Sequence, residues 1–323
     1  MDLPSNIQDL ISSDLQTVNS TILDHLHTDV ALINQIGQYI IQAGGKRLRP
    51  ITVLLAARAC GYNGTQHIHL AAIIELIHTA TLLHDDVVDA SDQRRHRKTA
   101  NAIWGNAASV LVGDFLYTRA FQMMTQLQTM RIMETFAHAT NRIAEGEVLQ
   151  LLNCNDPNTT TERYLEIIER KTATLFQAGT RISAIISQTN PQQEQAMAQY
   201  GLHLGIAFQL IDDILDYSPN NPELGKNIGD DLADGKITLP LIQALADTDQ
   251  HHKDIIRKAI TTGDRNQLNI ILETIAKTGA INYTMNLAQQ HAQHAKAALQ
   301  EIAPTQYRTA LFQLTEFAIN RKH

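Results

Sequence analysis

Two short acidic runs in the chain combine residue types and spacing that suit metal chemistry. The segments LLHDDVVD and FQLIDDILD each place aspartates at positions i, i+1 and i+4 within an apolar stretch that contains no proline. If both stretches are helical, Asp85 and Asp89 lie one turn apart on one face, and so do Asp212 and Asp216. Carboxylate oxygens are hard ligands, and Mg²⁺ usually takes one or two of them while its other positions hold water or phosphate oxygens. The two clusters therefore predict a diphosphate held between them by magnesium.

The ordinary explanation of acidic pairs on a helix is a solvated face, because acidic side chains are mostly exposed. Here leucine, isoleucine and valine residues flank both clusters on each side. Carboxylates without partners in apolar surroundings would be costly, so a cation or a metal ion is expected beside them. The recurrence of the same pattern also favours a functional role over a solvated surface.

The composition of the 323-residue chain favours one large globular unit, and we predict a single domain over residues 1–323. Hydrophobic residues make up 44% and charged residues 18%, which is enough for a substantial core. The net charge of −7 provides no basic footprint, so no nucleic-acid partner is expected. Cys60 and Cys154 are too few for a disulfide framework and do not have a zinc-ligand spacing. A reduced, cytoplasmic compartment is the simplest expectation.

Neither a leader nor a membrane anchor is expected from the sequence. The first residues, MDLPSNIQDLISSDL, are acidic and lack the basic and apolar regions of a signal peptide. No run of about 18 or more apolar residues occurs, so no transmembrane segment is predicted. Such a protein can still act on a lipid-like substrate.

Helical spacing dominates the pattern of apolar residues. The stretch 51–156 contains no proline. Apolar residues recur at intervals of three and four in the segments 68–88, 107–124, 132–152 and 165–186. Sustained period-two alternation is missing, so the sequence predicts an all-α bundle with short loops. Thr159 followed by Glu162 resembles a capping box at the start of one helix, and Asp264 is a predicted N-cap of another.

The basic run GGKRLRP lies at the end of a predicted helix. Its glycines free the backbone, and Lys46, Arg47 and Arg49 offer donors for phosphate oxygens. Glycine followed by basic residues also makes ordinary helix caps, so this run is a weak signal when taken alone. His78 lies two turns before Asp85, and a lone histidine near an apolar face is more often a hydrogen-bonded core residue than a ligand.

Further polar residues lie where they could close on an anion. The run DQRRHRK directly follows the first acidic cluster, and this position favours an anion-binding loop over a merely solvated one. Lys171 and Thr172 interrupt the apolar spacing of a helix. The run LGKNIGDDLADGK follows the second cluster, and its glycines and charges predict a mobile lid over a phosphate.

The chain resembles the trans-prenyltransferases of the isoprenyl diphosphate synthase family in five motifs, which are GGKRLRP, LLHDDVVDASDQRR, the KT pair, FQLIDDILD and GKNIGDDLADGK. They run from about residue 40 to residue 240. The runs NAASVLVGDFLYTRAFQMM and AEGEVLQLLN are similar to those of the bacterial octaprenyl members, which make the quinone side chain. The chain departs from the family pattern at His96, where the family usually has glycine. The resemblance implies an all-α isoprenoid synthase bundle around a central substrate cavity, a homodimer, and a lipid-like product passed to membrane enzymes.

The resemblance also implies roles for individual residues, with Lys171 and Lys236 among the catalytic ones. The implied magnesium ligands are Asp85, Asp89 and Asp212, with Asp86, Asp213 and Asp216 in direct or supporting roles. The residues implied for the allylic diphosphate are Arg94, Lys171, Thr172, Gln209, Lys226 and Lys236. The residues implied for isopentenyl diphosphate, which must not ionise, are Lys46, Arg49, His78 and Arg95. The allylic carbon–oxygen bond then ionises, the double bond of isopentenyl diphosphate attacks the carbocation, and a proton is lost.

The length of the product is expected to depend on the helix that carries the first cluster. Thr81 lies one turn before Asp85 on the same face, Ile77 lies one turn before Thr81, and Ala80 adjoins this track. In the resembled family, the positions four and five before the first aspartate form the upper wall of the product tunnel. Both are small here, so we predict an open tunnel and a C40 product. The methionine-rich stretch around Met123 on the following helix is the candidate floor.

Other functions are weighed against the same motifs. An HD-type metal phosphohydrolase would use the His84–Asp85 pair with the upstream histidines, but it leaves the second acidic cluster unexplained. A terpene cyclase shares the metal chemistry but ordinarily lacks a site for isopentenyl diphosphate. A non-catalytic subunit of a prenyl synthase should have lost acids from one or both clusters, and both are intact. A shorter-chain farnesyl or geranylgeranyl diphosphate synthase is the remaining alternative.

Overall fold

The structure, a computed structural model, describes residues 3–42, 44–94, 97–218 and 228–321. Most of these residues are helical and very few are in strands, and the all-α fold class predicted from the sequence is confirmed. The first helices are α1 (Ser5–Leu26), α2 (Ala31–Gln42), α3 (Leu48–Ala59), α4 (Gln66–Val88), α5 (Ala100–Trp104), α6 (Asn106–Gln126), α7 (Met130–Asn153) and α8 (Thr161–Ile168). The later helices are α9 (Thr174–Ile186), α10 (Pro191–Asp216), α11 (Asp230–Ala233), α12 (Leu239–Asp247), α13 (Gln250–Thr262), α14 (Leu268–Lys277), α15 (Ala280–Ala298) and α16 (Gln306–Ile319).

Four shorter elements are also present in the described part of the chain. A π-helical segment, Glu169–Ala173, joins α8 to α9, and a 3₁₀ turn, Leu299–Glu301, follows α15. The basic run after the first acidic cluster forms two short antiparallel strands, β1 (Gln93–Arg94) and β2 (Arg97–Lys98), where the sequence predicted only a loop. None of the helices in the described ranges combines the length and hydropathy needed to cross a bilayer.

The four helical segments predicted from apolar spacing are all present. The first three correspond to α4, α6 and α7, and the fourth covers α8, the π-helical segment and α9. Lys171 and Thr172, which interrupt the apolar spacing in the sequence, lie inside the π-helical segment. A π-helical turn holds more residues than an α-helical one, so it shifts the apolar face where the spacing is broken.

Two predicted helix starts are wrong. Thr160, rather than Thr159, is the N-cap of α8, and its hydroxyl oxygen accepts a hydrogen bond from the Arg163 N–H at 3.2 Å. The Thr159 hydroxyl instead donates to the Asp156 carbonyl oxygen. Asp264 does not cap α14, because its carboxylate accepts from the N–H of residue 266 in a turn that precedes the helix. Neighbouring polar residues can each form a cap, and the local sequence alone does not choose between them.

The helices α4 and α10 carry the two acidic clusters and lie inside the bundle. α4 packs against α1, α3, α6 and α9, whereas α10 packs against α9, α15 and α16. Both helices are apolar on most of their circumference, and they are therefore buried on several sides. Both clusters lie at the C-terminal ends of these helices, where the helix dipole places partial negative charge. Neighbouring elements must therefore supply cations to the acids.

Two glycines let α7 and α10 approach the backbone of the π-helical segment. A Cβ atom on Gly146 of α7 would lie 2.8 Å from the Lys171 backbone nitrogen. A Cβ atom on Gly205 of α10 would lie 2.6 Å from the Cα atom of Ala173. Such distances are too short for a side chain, so only glycine permits this packing. The two contacts hold Lys171 between α7 and the end of α4.

Candidate active site

The acids of the first cluster that share one face each lie beside a lysine from a distant part of the chain. The Lys171 Nζ atom is 3.6 Å from Asp85 Oδ2, and the Lys236 Nζ atom is 2.6 Å from Asp89 Oδ2. Burial would lower the pKa of Lys236, but the charges of Asp89 and Asp231 outweigh it and raise this pKa above its ordinary value. Both ammonium groups therefore offset the negative end of α4.

Asp86 has different partners from its two neighbours in the cluster. Its carboxylate is buried and accepts a hydrogen bond from Arg94 Nε at 2.7 Å. Burial raises the pKa of Asp86 above its usual range, although the nearby Arg94 charge opposes this shift. One residue along a helix is about 100° of rotation, so Asp86 points away from the face of Asp85. The contact fixes Arg94 in the β1 strand directly after α4.

In the second cluster, Asp212 is paired with an arginine that no motif indicated. Arg321 Nη1 lies 2.9 Å from Asp212 Oδ1. The guanidinium of Arg321 lies over the Phe208 ring at 3.8 Å and donates to the Phe208 carbonyl oxygen. Arg321 is buried near the C-terminus, far beyond the last motif, so only the folded chain reveals its contact with the cluster.

Asp213 is buried at the centre of a hydrogen-bond network. The Tyr164 hydroxyl donates to one oxygen of Asp213, and the Gln209 amide donates to the other at 2.9 Å. The Gln209 side-chain oxygen in turn accepts from the Thr172 hydroxyl at 2.9 Å. Burial raises the pKa of Asp213, and the negative charge of Asp231 adds to this shift. The network joins two residues predicted for the allylic diphosphate, Thr172 and Gln209, to the second acidic cluster.

Asp216 connects the second cluster to the segment that carries Lys236. Its buried carboxylate accepts from the Asp231 N–H at 3.3 Å, and its carbonyl oxygen accepts from the Gly229 N–H at 3.0 Å. The Lys236 N–H donates to the Asp231 carbonyl oxygen at 2.7 Å. The segment 228–236 therefore runs from the second cluster to Asp89 in the first. The two acidic clusters are joined by one short, hydrogen-bonded piece of chain.

Glu147 is a further charged residue of this region that the sequence reasoning missed. Lys171 Nζ donates to its Oε2 atom at 2.5 Å. Burial is the main reason that the pKa of Glu147 is raised to about 7; the charge of Lys171 opposes this shift, and the charges of Asp85 and Asp89 contribute to it. Glu147 lies in the AEGEVLQLLN run, directly after Gly146, so the close approach of α7 brings it to Lys171.

The basic residues of the GGKRLRP run divide into two groups. Arg47 turns inward, pairs with the buried Glu75 and donates to the Ile41 carbonyl oxygen at 3.1 Å. Arg49 Nη1 instead lies 3.2 Å from His78 Nε2, and its guanidinium lies 4.7 Å from the centre of the Phe176 ring. Lys46 is exposed. Arg49 and His78, both predicted for isopentenyl diphosphate, are therefore adjacent.

The predicted tunnel residues are located on the packed faces of α4 and α6. Ile77, Ala80 and Met123 are buried, and Thr81 is half-buried with its hydroxyl donating to the His78 carbonyl oxygen at 2.8 Å. α4 and α6 pack closely against each other. Three other predicted residues, Arg95, His96 and Lys226, lie outside the described residues.

The histidines expected for an HD-type phosphohydrolase do not converge on Asp85. His84 Nε2 faces α6, where it lies 3.2 Å from the Val110 carbonyl oxygen. His67 Nε2 lies 2.8 Å from Asp14 Oδ2, on α1. His78 contacts Arg49, as described above. These three imidazoles have three separate environments, so this alternative finds no support.

Comparison with protein-family models matches residues 30–277 to the family described as polyprenyl synthetase. The chain belongs to this family. It is 51% identical over 316 residues to octaprenyl diphosphate synthase from Escherichia coli (strain K12), with 98% of each chain covered. It is 44% identical to the all-trans-nonaprenyl-diphosphate synthase (geranyl-diphosphate specific) of Rhodobacter capsulatus over 322 residues, 99% of each chain. The predicted membership of the isoprenyl diphosphate synthases is confirmed, and so is the prediction that the protein is a prenyltransferase.

A solved structure has the same fold over nearly the whole chain. It is the polyprenyl synthase of Caulobacter crescentus CB15, complexed with calcium and isoprenyl diphosphate. Its TM-score is 0.95 at 43% sequence identity, with 99% of this chain and 98% of that chain covered.

Proposed function

We propose that this prenyltransferase is an octaprenyl diphosphate synthase. It extends an allylic diphosphate such as farnesyl diphosphate with successive isopentenyl diphosphates and makes a C40 product. The similarity to octaprenyl diphosphate synthases along the full chain supports this assignment. The prenyl transfer itself is supported by the connection between the two acidic clusters, because the segment 228–236 contacts Asp216 at one end and Asp89, through Lys236, at the other.

Magnesium is the proposed metal, with Asp85, Asp89 and Asp212 as ligands and Asp216 beside them. The donors are all carboxylate oxygens, which hold hard cations in preference to softer ones. They lie at negative helix ends, where cations are required in any case. The calcium in the Caulobacter relative, another hard divalent cation, supports the same class of metal. When bound, magnesium supplies Lewis-acid stabilisation of the departing diphosphate.

The basic residues then divide between two diphosphate sites. Lys171, Lys236 and Arg94 grip the allylic diphosphate, and Thr172 and Gln209 support it through the network to Asp213. Arg49, His78 and Lys46 hold the diphosphate of isopentenyl diphosphate without metal, because this substrate must not ionise. Lys226 is proposed for the allylic site and Arg95 for the isopentenyl diphosphate site, in both cases on the resemblance alone. Because the two sites are separate, only the allylic diphosphate lies beside the acidic clusters.

The chemical steps need no protein nucleophile. The allylic carbon–oxygen bond breaks, and its electron pair leaves with the diphosphate. The double bond of isopentenyl diphosphate attacks the allylic cation, so a new carbon–carbon bond forms, and a proton then passes to the released diphosphate. The protein contributes by positioning the two substrates and by neutralising the leaving group. The lengthened product is again an allylic diphosphate, so the cycle repeats until the tail fills the available space.

The protein is further proposed to act as a single-domain, cytoplasmic homodimer. Leu111 of α6 and Val148, Leu151 and Leu152 of α7 are more than half exposed, with Leu152 at 72%. A short turn joins α6 to α7, so the two helices run in opposite directions and the start of α6 lies at the same end of the pair as the end of α7. Exposed apolar side chains in such number mark an interaction site, and a second copy of the chain is the proposed partner. The lipid-like product is proposed to pass to membrane enzymes that attach quinone side chains.

The proposal is tested by incubating the purified protein with farnesyl diphosphate, labelled isopentenyl diphosphate and magnesium. We expect the label to enter an extractable prenyl diphosphate, and EDTA to abolish this incorporation until magnesium is restored in excess. Heat-treated protein serves as the control for non-enzymatic transfer. Failure to incorporate label under any magnesium concentration would contradict the proposed function.

A further inference from the structure

Three histidines converge on the side of the bundle where α10 packs against α15. They are His203 of α10 and His291 and His294 of α15, and one ring nitrogen from each lies within 4.8 Å of the others. His203 Nδ1 and His291 Nδ1 form a hydrogen bond at 2.9 Å. None of the motifs of the prenyltransferase site includes these residues. We refer to them as the histidine cluster.

The packing of α10 explains why His203 faces α15. Gly201 and Gly205 face α9 and the π-helical segment, because a Cβ atom on Gly201 would lie 2.4 Å from the Phe176 carbonyl oxygen. His203 is two residues from each glycine, about 200° around the helix, and so lies on the opposite side. His291 and His294 are three residues apart on α15, a spacing that puts both on one face. The two helices therefore bring the three rings together by their backbone geometry.

The ordinary explanation of such a cluster is a stack of aromatic rings. The ring centre of His203 lies 5.1 Å from the ring centre of His291 and 5.0 Å from that of His294, and both are normal packing distances. Burial lowers the pKa of His203, and burial together with the two neighbouring histidines lowers that of His291 to about 4. His203 and His291 are therefore neutral near pH 7. Neutral imidazole is also the form that binds metal ions, so this protonation state is compatible with metal binding as well as with ring packing.

We propose that the histidine cluster binds one divalent transition-metal ion of the zinc type through three imidazole nitrogens. Imidazole ligands suit zinc, copper and nickel, whereas magnesium prefers oxygen. Zinc–nitrogen bonds of 2.0–2.1 Å in a tetrahedral site place ligand nitrogens about 3.3 Å apart. The His203–His291 separation of 2.9 Å is near this value and no separation in the cluster exceeds 4.8 Å, so small rotations of the side chains complete the site. His294 is exposed and provides the route of entry, and water occupies the fourth position.

This metal site is separate from the prenyltransferase chemistry. His203 precedes Asp212 by nine residues, which is about 13 Å along α10. The bound ion instead links α15 to the helix that carries the second acidic cluster. An ion that binds the folded chain and not the unfolded one raises the free energy of unfolding. The ion therefore stabilises the C-terminal part of the fold and takes no part in the reaction.

The test uses the full-length protein without a polyhistidine tag, first treated with a chelator that is then removed. Zinc is titrated calorimetrically in the presence of excess magnesium, which keeps the carboxylate sites occupied. We expect one zinc ion per chain, a higher melting temperature with zinc, and the visible absorption of a nitrogen-ligated site when cobalt replaces zinc. His291→Ala should raise the dissociation constant by more than about 100-fold, because even residues that only support a metal ligand change affinity by 10–100-fold.

Two further variants make the result decisive. His294 is exposed, so His294→Gln should keep the fold, retain prenyltransferase activity with magnesium, and still lose the tight zinc site. His251→Ala removes an exposed histidine that contacts another histidine, His252, with ring centres 5.6 Å apart on α13, and it should bind zinc like the wild type. Absence of stoichiometric binding by the wild type, or equal affinity in wild type and His294→Gln, would overturn the proposal and leave the cluster as ring packing.

Discussion

Lys236 Nζ lies 2.6 Å from Asp89 Oδ2, and this contact joins the segment after the second acidic cluster to the first. Lys171 stands in the same relation to Asp85, at 3.6 Å. Each lysine is therefore held beside an acid that we propose binds magnesium. A diphosphate bound between the two clusters would lie within reach of both ammonium groups. Each of these two proposed metal ligands is thus paired with a lysine that can donate to phosphate oxygens.

The first prediction concerns the metal ligands. Asp85→Ala and Asp212→Ala should each lower turnover by orders of magnitude, because each removes a carboxylate from a different side of one diphosphate. The Asp85 side chain is partly exposed, so the melting temperature of Asp85→Ala should change little, whereas Asp212→Ala also removes the carboxylate partner of the buried Arg321 and should lower it. Turnover is measured at limiting and at saturating magnesium. The control is Asp254→Ala, an exposed aspartate of α13 that accepts a hydrogen bond from Gln250 of the same helix. Wild-type turnover of either ligand variant at limiting magnesium would refute the assignment.

Arg47 and Arg49 offer a matched pair for the isopentenyl diphosphate site. Arg49→Ala should raise the KM for isopentenyl diphosphate roughly ten- to hundredfold, because a lost charge-assisted contact costs about 1.5–3 kcal/mol. Its effect on the KM for the allylic substrate should be much smaller. Arg47→Ala should instead lower the free energy of unfolding by about 3–5 kcal/mol, because the buried Glu75 loses its partner.

Steady-state kinetics and chemical denaturation of the same two variants distinguish these outcomes. Equal changes in both KM values for Arg49→Ala would show that the division of the basic residues is wrong. A stable Arg47→Ala protein with a raised KM for isopentenyl diphosphate would reverse the roles of the two arginines.

The raised pKa of Glu147 predicts that the free energy of unfolding depends on pH. Its pKa is raised from 4.5 to about 7 in the folded protein, so the folded state binds more protons than the unfolded state between these values. The contribution of Glu147 to stability is therefore present at low pH and is lost as the pH rises through this window. In EDTA, Glu147→Gln should lose less stability than the wild type over the same rise in pH. Denaturant unfolding at several pH values measures the difference.

Glu166→Gln is the control for this experiment, because hydrogen bonding from Arg163 lowers the pKa of Glu166 and reverses the sign. Its contribution is lost as the pH falls, and it should be small because the side chain is exposed to solvent on the surface of α8. Identical pH profiles for wild type and Glu147→Gln would contradict the proposed environment of Glu147.

Ala80→Tyr tests the path of the growing chain. The Ala80 side chain is fully buried at 0% exposure, so the larger ring should also cost about 1–3 kcal/mol of stability through overpacking. This cost exceeds the loss of helix propensity, which is at most about 0.7 kcal/mol. The variant should still carry out the first condensations but stop after a few isoprene units. Chromatography of the labelled products measures their length, with Ala80→Ser as a small control that should keep the full-length product. Full-length product from a folded Ala80→Tyr variant would mean that the chain does not pass Ala80.

The sequence predicted those parts of the structure that depend on local pattern. The helices α4, α6 and α7 follow from apolar spacing, and the repeated acidic motif correctly indicated two clusters on separate helices. The interrupted spacing at Lys171 marked the π-helical segment without identifying it. The start of α8 was missed by one residue because Thr159 and Thr160 can both form a cap.

Contacts between distant residues could not be predicted in this way. Arg321 has no motif around it, and its pairing with Asp212 depends on where α16 ends. Glu147 reaches Lys171 only because Gly146 lets α7 approach the π-helical segment. Arg47 and Arg49 are chemically alike, and the left-handed backbone at Arg47 directs its side chain inward. In each case the fold, rather than the local residue pattern, determines the partner.

The length of the product that the wild-type protein makes tests the proposed octaprenyl diphosphate synthase activity most directly. Farnesyl diphosphate is incubated with an excess of labelled isopentenyl diphosphate and magnesium, and the products are dephosphorylated and sized against prenyl alcohol standards. We expect C40 as the dominant final product. A dominant C45 product would replace octaprenyl by nonaprenyl, the product length in the name of the Rhodobacter relative. A product that stops at C15 or C20 would contradict the long-chain assignment.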